Sequence, residues 1–135
     1  MKALDTNVLA RFFIGDEDDA QAAKQRPAAV AALSGRAFVP HTVLLEFEWV
    51  MRGFYGLARA DIHRVLVALA GLENVTLENR DAVLTALAAH HKGLDFADAL
   101  HLAHSARVSE FASFDRALAT KAGRLGLTPP VTLLR

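Results

Sequence analysis

The regular alternation of short β-like runs with longer helical segments is the feature that most constrains the fold of this chain. Short strands are predicted at residues 3–4, 37–39, 75–77, 110–113 and 131–133. Helices are predicted from residue 8 to 13 and at about 16–33, 42–55, 60–70, 81–91, 95–108 and 116–125, with Pro27 kinking or splitting the second. Such alternation predicts an α/β fold with a mostly parallel sheet.

The length and composition fit a single domain spanning residues 1–135. About half of the residues are hydrophobic, 53%, which suffices for a sizeable core and argues against disorder. The absence of cysteine excludes disulfides and thiolate chemistry. The net charge of zero excludes a basic nucleic-acid footprint over the whole domain but not a local one. Without a signal-like segment or a stretch long enough to span a bilayer, we expect a cytoplasmic protein.

Asp5 stands where the first short strand meets the first helix. Thr6 and Asn7 follow it, and both favour caps and turns over regular structure. In open parallel sheets, ligands bind at the ends of strands. Asp5 can therefore be a helix cap or a ligand-binding acid, and the other acids must decide. If Asp5 is a ligand, capping passes to Thr6 or Asn7.

Three further acids stand at comparable positions. Asp115 directly follows the fourth strand, Glu46 lies in the helix after the second, and Asp98 lies in the helix before the fourth. If the first and fourth strands are neighbours across a reversal of strand order, Asp5 and Asp115 meet in the crevice there. The acidic run at residues 16–19 is interpreted differently, as helix capping and solvation.

Helix geometry favours Glu46 over Glu48 as a site residue. The helix presents an apolar face, made by Val43, Phe47, Val50 and Phe54. Glu46 flanks this face beside small residues, which predicts partial burial in a cleft. Glu48 points away from the face and is predicted to be a solvated surface charge.

Asp95 and Asp98 lie three residues apart at the start of a predicted helix. Asp95 is expected to be the N-cap, with Asp98 in the first turn. Clustered carboxylates resist joint ionisation, and a hard divalent cation such as Mg²⁺ or Mn²⁺ would offset their charge. Such an ion can activate water for attack on a phosphodiester, so the pattern favours nuclease chemistry.

Four segments of the chain form a set of motifs: residues 4–12 (LDTNVLARF), 43–46 (VLLE), 95–100 (DFADAL) and 113–116 (SFDR). Together they resemble PIN-domain proteins, and more closely the VapC-type toxins of bacterial toxin–antitoxin systems. The resemblance implies a three-layer α/β/α sandwich with a mostly parallel five-stranded sheet. It also implies an endoribonuclease that cuts RNA with Mg²⁺ or Mn²⁺, a cognate antitoxin and a homodimer.

The resemblance also assigns roles to residues. Asp5, Glu46, Asp98 and Asp115 would bind the metal, and Thr6, Asn7 and Ser113 would support them by hydrogen bonding. Arg11 and Arg116 could pair with acids or contact phosphate, and surface salt bridges are expected for both. Trp49 and Tyr55 could stack on unpaired bases, but a core or dimer contact is expected. His101 and His104 have ligand-like spacing, but with no third partner we expect partly buried or surface histidines.

Other functions fit the sequence less well. A receiver-like domain would need an acceptor aspartate on the third strand and a later lysine, and a haloacid-dehalogenase-type phosphatase would need an acid in place of Asn7. A catalytically silent partner-binding module remains the alternative, which a metal titration would distinguish.

Overall fold

A computed structural model describes residues 1–16 and 18–135, and these residues divide into two compact units, Met1–Arg80 and Asp81–Arg135. The elements of the first unit are, in chain order, β1 (Lys2–Ala3), α1 (Thr6–Phe13), α2 (Ala20–Ser34), β2 (Ala37–Val39), α3 (His41–Gly53), α4 (Arg59–Ala70) and β3 (Val75–Leu77). The elements that follow are α5 (Arg80–His91), α6 (Phe96–His104), β4 (Phe111–Ser113), α7 (Arg116–Leu125) and β5 (Val131–Leu133).

The strands pair in parallel, as predicted. In the first unit they form a three-stranded sheet in the order β1-β2-β3, with Lys2 opposite Ala37 and Phe38 opposite Thr76. In the second unit β4 pairs with β5, and Phe111 lies opposite Val131. The α/β class is therefore confirmed. A single five-stranded sheet is not, because the described hydrogen bonds form sheets of three and two strands.

The apolar residues of the helices and strands supply the buried side chains of each unit. The central strand β2 is buried on the face that carries Ala37 and Val39, whereas Phe38 on the opposite face is half-buried. Further fully buried side chains are Leu9, Phe47, Met51, Ile62, Leu66 and Leu69 in the first unit, and Val83, Leu94, Phe96 and Leu100 in the second. These residues fix the helices that carry the candidate acids.

Local chemistry sets most helix ends. Asp19 caps α2 by accepting from the backbone N–H groups of Gln21 and Ala22. Glu17, part of the predicted acidic run, lies outside the described residues. The predicted split at Pro27 does not occur, because α2 continues through it within an alanine-rich segment of high helix propensity. Helix α6 ends at His104, earlier than predicted, where Ser105 donates to the carbonyl of His101.

Candidate active site

Asp5 is the N-cap of α1 and is separated from the end of β1 by Leu4 alone. Its Oδ1 accepts a hydrogen bond of 2.8 Å from the backbone N–H of Thr6. The expectation that capping passes to Thr6 or Asn7 is therefore wrong. Capping does not exclude metal binding, because a carboxylate has two oxygens and several acceptor positions. The side chain is exposed, so it can still reach a ligand.

Thr6 links the beginning of α1 to α3. Its side chain is only 3% exposed, and its hydroxyl donates a hydrogen bond to Oε1 of Glu46. A buried hydroxyl with a fixed acceptor holds that acceptor in one orientation. Asp5 and Glu46, which are far apart in sequence, are thus connected through one threonine. Asn7 is exposed on α1 and lines a cavity of about 260 Å³ with Arg11 and Gln25.

The orientation of α3 differs from the prediction. The buried residues are Leu44, Phe47, Glu48 and Met51, at i, i+3, i+4 and i+7, while Phe54 is 74% exposed. The partial burial predicted for Glu46 is wrong, since its side chain is exposed.

Glu48 is not the solvated charge that the sequence suggested. Its side chain is 4% exposed and accepts from Nε of Arg52 at 3.0 Å and from Nη2 at 3.3 Å. Arg52 lies one turn later, so the pair uses the i,i+4 spacing of a helix. This pairing compensates the buried carboxylate within the helix and gives Glu48 a structural role.

In the second unit, Asp95 and Asp98 adopt the predicted arrangement at the start of α6. Asp95 is the N-cap, and its Oδ2 accepts from the backbone N–H of Asp98 at 3.1 Å. Asp98 lies in the first helical turn and is half-buried. The positive end of the helix dipole favours negative charge at both positions.

The pKa of the Asp98 carboxyl is raised above its ordinary value. Burial is the largest cause, followed by the negative charges of Asp95 and Asp115, whereas His101 and Lys121 act in the opposite direction. The basic groups therefore do not cancel the cost of ionising Asp98. An additional cation would stabilise its charged form.

Asp115 lies two residues beyond the end of β4 and is held by hydrogen bonds on both sides. Its backbone N–H donates to Oγ of Ser113 at 3.0 Å, and its Oδ1 accepts from the backbone N–H of Leu118 at 3.0 Å. Asp115 thereby caps α7, as Asp5 caps α1. The Ser113 hydroxyl thus fixes the backbone of Asp115, and its role as a support of a metal ligand stays a prediction.

The structure brings the candidate acids together in pairs. Thr6 connects Asp5 with Glu46 in the first unit, and in the second the negative charge of Asp115 contributes to the raised pKa of Asp98. Among residues 1–16 and 18–135, no three His, Asp or Glu side chains form a group that could hold a metal ion. The donor chemistry nevertheless fits Mg²⁺ or Mn²⁺, because carboxylate oxygens are available and neighbouring basic groups only partly offset the cost of ionising Asp98.

The histidines and arginines have other surroundings. His101 and His104 are exposed on α6, and His90 is buried with its ring edge-to-face against Phe96, 5.7 Å between centroids. Arg11 donates to Oε1 of Gln25 and to the hydroxyl of Tyr55, so its described partners are neutral rather than acidic. Arg116 is exposed in the first turn of α7.

The large aromatic residues differ in exposure. Trp49 is 60% exposed on α3, which excludes a core position and leaves the dimer contact as a prediction, whereas Tyr55 is half-buried. Phe114, between Ser113 and Asp115, is 75% exposed and was overlooked. The signal that could have revealed it was a large apolar residue between two site residues, just beyond the end of a strand.

The parallel α/β units and the acids at their strand ends define an α/β protein with a carboxylate-based candidate site. The model of the PIN domain family matches residues 2–124, so the chain belongs to this family. A VapC ribonuclease of Aquifex aeolicus (strain VF5) is 27% identical over 92 residues, 68% of each chain. No solved structure shows significant similarity. The described part of the chain has no helix long and apolar enough to cross a membrane.

Proposed function

We propose that this protein is a Mg²⁺-dependent endoribonuclease, with Mn²⁺ as a possible substitute, and the toxin of a toxin–antitoxin pair. Membership of the PIN domain family and the similarity to a VapC ribonuclease support this proposal. The observation that carries it is the repeated use of a helix-capping acid after a parallel strand. Asp5 follows β1 and Asp115 follows β4, and each is associated with a second motif acid.

Asp5, Glu46, Asp98 and Asp115 are the proposed metal ligands. Asp5 and Asp115 each use Oδ1 for a helix cap, which orients the carboxylate and keeps Oδ2 for a ligand. Thr6 orients Glu46, and Ser113 fixes the backbone of Asp115. A metal site requires ligands of fixed orientation, and hydrogen bonds from neighbouring groups provide that orientation. The single-domain organisation over residues 1–135 and the five-stranded sheet stay predictions.

The side chains of the protein would position an RNA phosphodiester, and its carboxylates would supply the negative charge that binds the metal. When bound, Mg²⁺ or Mn²⁺ would polarise the phosphate and activate water to hydrolyse the bond. Asn7, exposed beside Asp5 and Thr6, can donate hydrogen bonds to phosphate oxygens through its amide. Asp98 acts as a ligand only in its ionised form, so metal affinity should fall as the pH is lowered towards the raised pKa of Asp98.

The decisive experiment compares three Asp→Asn variants in RNA cleavage with Mg²⁺ and Mn²⁺. Asp5→Asn and Asp98→Asn are expected to lose at least about a hundredfold in rate, since each removes a charged ligand. Asp19→Asn is the matched control, because Asp19 also caps a helix but belongs to no motif. If Asp5→Asn or Asp98→Asn cleaves RNA at the wild-type rate, the ligand assignment is wrong.

Calorimetry separates the enzyme from the alternative, a catalytically silent partner-binding module. Titration of the isolated protein with Mn²⁺ should give saturable binding that Asp98→Asn weakens. No binding of either metal, combined with no RNA cleavage, would favour the silent module.

The proposal includes a cognate antitoxin, a homodimer and a cytoplasmic location. An antitoxin gene is expected next to the gene of this protein, and its product should suppress RNA cleavage when the two are co-purified. Light scattering of the purified chain tests the dimer. Sequencing of RNA ends after brief induction would identify the RNA that is cut.

A further inference from the structure

Phe114 has the highest exposure among the large hydrophobic side chains of the described residues, at 75%. It lies between Ser113, the last residue of β4, and Asp115, the cap of α7. Its exposure excludes a role in the core. A turn between a strand and a helix cap also does not require a large ring, because such positions favour small polar residues.

The backbone on both sides of Phe114 is fixed. The hydrogen bond from Asp115 N–H to Ser113 Oγ spans it, and the cap from Asp115 to Leu118 holds the following turn. The ring is therefore presented to solvent from an ordered segment. Little conformational freedom of the backbone would be lost when a ligand covers it, which favours binding.

The helix that starts two residues later supplies positive charge. Helix α7 carries Arg116, Lys121 and Arg124, all exposed, and contains no acidic residue. Sites for single-stranded nucleic acid combine basic side chains that follow the backbone with aromatic side chains on which bases stack. The second unit has both features next to one proposed metal ligand, despite the zero net charge of the whole chain.

We propose that Phe114 stacks on an unpaired base of the RNA, adjacent to the bond that is cut. This inference rests on the proposed ribonuclease function. Stacking on a phenyl ring tolerates any base, because every base has a π-face. Phe114 would therefore hold the RNA strand beside Asp115 and contribute little to the choice of sequence.

Kinetics on a random-sequence pool of short single-stranded RNA test the proposal. Phe114→Leu keeps the apolar character but removes the ring, so KM should rise about tenfold while kcat changes little. Phe114→Tyr keeps the ring and should behave like the wild type. Phe54→Leu is the matched control, because Phe54 is equally exposed, at 74%, but lies at the end of α3.

A second measurement does not depend on cleavage. RNA of the same pool carrying 2-aminopurine is titrated with Asp98→Asn, with and without Phe114→Leu. Stacking on Phe114 should change the 2-aminopurine fluorescence, and Phe114→Leu should remove most of that change. Loss of the signal together with the higher KM would establish the stacking role.

The outcomes distinguish this inference from the proposed function. If the wild type cleaves RNA and Phe114→Leu changes neither KM nor fluorescence, Phe114 does not stack on RNA and the ribonuclease assignment stands. A variant that binds RNA normally but no longer binds the antitoxin would overturn the inference in favour of a protein contact. If the wild type cleaves no RNA, the proposed function fails, and the fluorescence titration still decides the role of Phe114.

Discussion

Thr6 donates its hydroxyl hydrogen bond to the carboxylate of Glu46, and this bond joins the start of α1 to α3 across 40 positions of the sequence. Thr6 is buried, whereas Glu46 is exposed. The bond therefore anchors an otherwise mobile carboxylate to the rigid beginning of a helix. It also places the proposed ligand Glu46 beside the segment that Asp5 caps.

Replacing Thr6 tests this anchoring. Thr6→Val keeps the shape but removes the hydroxyl, so we expect RNA cleavage and Mn²⁺ affinity to fall about tenfold, the lower end of the effect of removing a support of a metal ligand. Thr6→Ser keeps the hydroxyl and should retain most activity. Equal activity of the Val and wild-type proteins in a metal titration would show that Glu46 needs no such anchor.

Substitution of Glu46 should affect RNA cleavage, whereas substitution of Glu48 should affect stability. Glu48→Ala leaves Arg52 without its carboxylate and creates a cavity, which should lower the free energy of unfolding by about 1–3 kcal/mol. The lower half of that range is expected, because Arg52 is exposed and can be solvated. Glu46→Gln keeps an acceptor for the buried Thr6 hydroxyl but removes the charge, so it should leave stability nearly unchanged and abolish cleavage. Urea denaturation and activity assays on both variants check this, and an inactive but stable Glu48→Ala would contradict it.

Asp115 should show two separable roles. Asparagine can cap α7 as aspartate does, whereas alanine cannot, so Asp115→Ala should cost about 1 kcal/mol more stability than Asp115→Asn. Both substitutions remove the proposed ligand and should abolish cleavage. Thermal unfolding measured beside RNA cleavage distinguishes the roles. Full activity of Asp115→Asn would restrict Asp115 to capping.

The raised pKa of Asp98 predicts how stability depends on pH. Because its pKa is higher in the folded than in the unfolded chain, the folded chain binds more protons between the two values, and its stability falls as pH rises through that window. Asp98→Asn removes this loss and should be more stable than the wild type at neutral pH. The advantage should shrink as the pH falls below the folded pKa.

Melting temperatures of the wild type and Asp98→Asn from acidic to neutral pH measure this difference in metal-free buffer. Asp95→Asn is the informative control, because it keeps the cap of α6 but removes one of the charges that raise the pKa. The pH dependence of its melting temperature should lie between those of the wild type and Asp98→Asn. Saturating Mn²⁺ should reverse the order of stability, since only the wild type keeps the full set of proposed ligands.

The basic residues of α7 predict a salt effect on RNA binding. If Arg124 contacts one phosphate, Arg124→Gln should reduce the slope of log affinity against log salt by about 0.7. Arg64→Gln is the control, because Arg64 is already paired with Asp61 at 2.6 Å. Fluorescence anisotropy at several salt concentrations measures both slopes, and an unchanged slope for Arg124→Gln would remove this residue from the RNA contact.

The helices and strands could be predicted largely from local sequence. Asp95 as the cap of α6 followed from a polar residue before an apolar run, and the parallel strands followed from their alternation with helices. The acids after β1 and β4 were likewise recognisable, because a carboxylate between a strand and a helix is suited both to capping the helix and to binding a ligand. Helix ends were less predictable, as α6 shows.

Tertiary packing decided what local sequence left open. Helix α3 is apolar on most of its circumference, so several faces were compatible with its sequence, and only contacts with distant segments buried Glu48 and exposed Glu46. The bond between Thr6 and Glu46 likewise joins residues that no local pattern connects. The sequence by itself determined which residues could carry the chemistry, because motif position and helix capping are local. The tertiary structure alone decided which carboxylates are compensated and which face solvent, because burial depends on the whole unit.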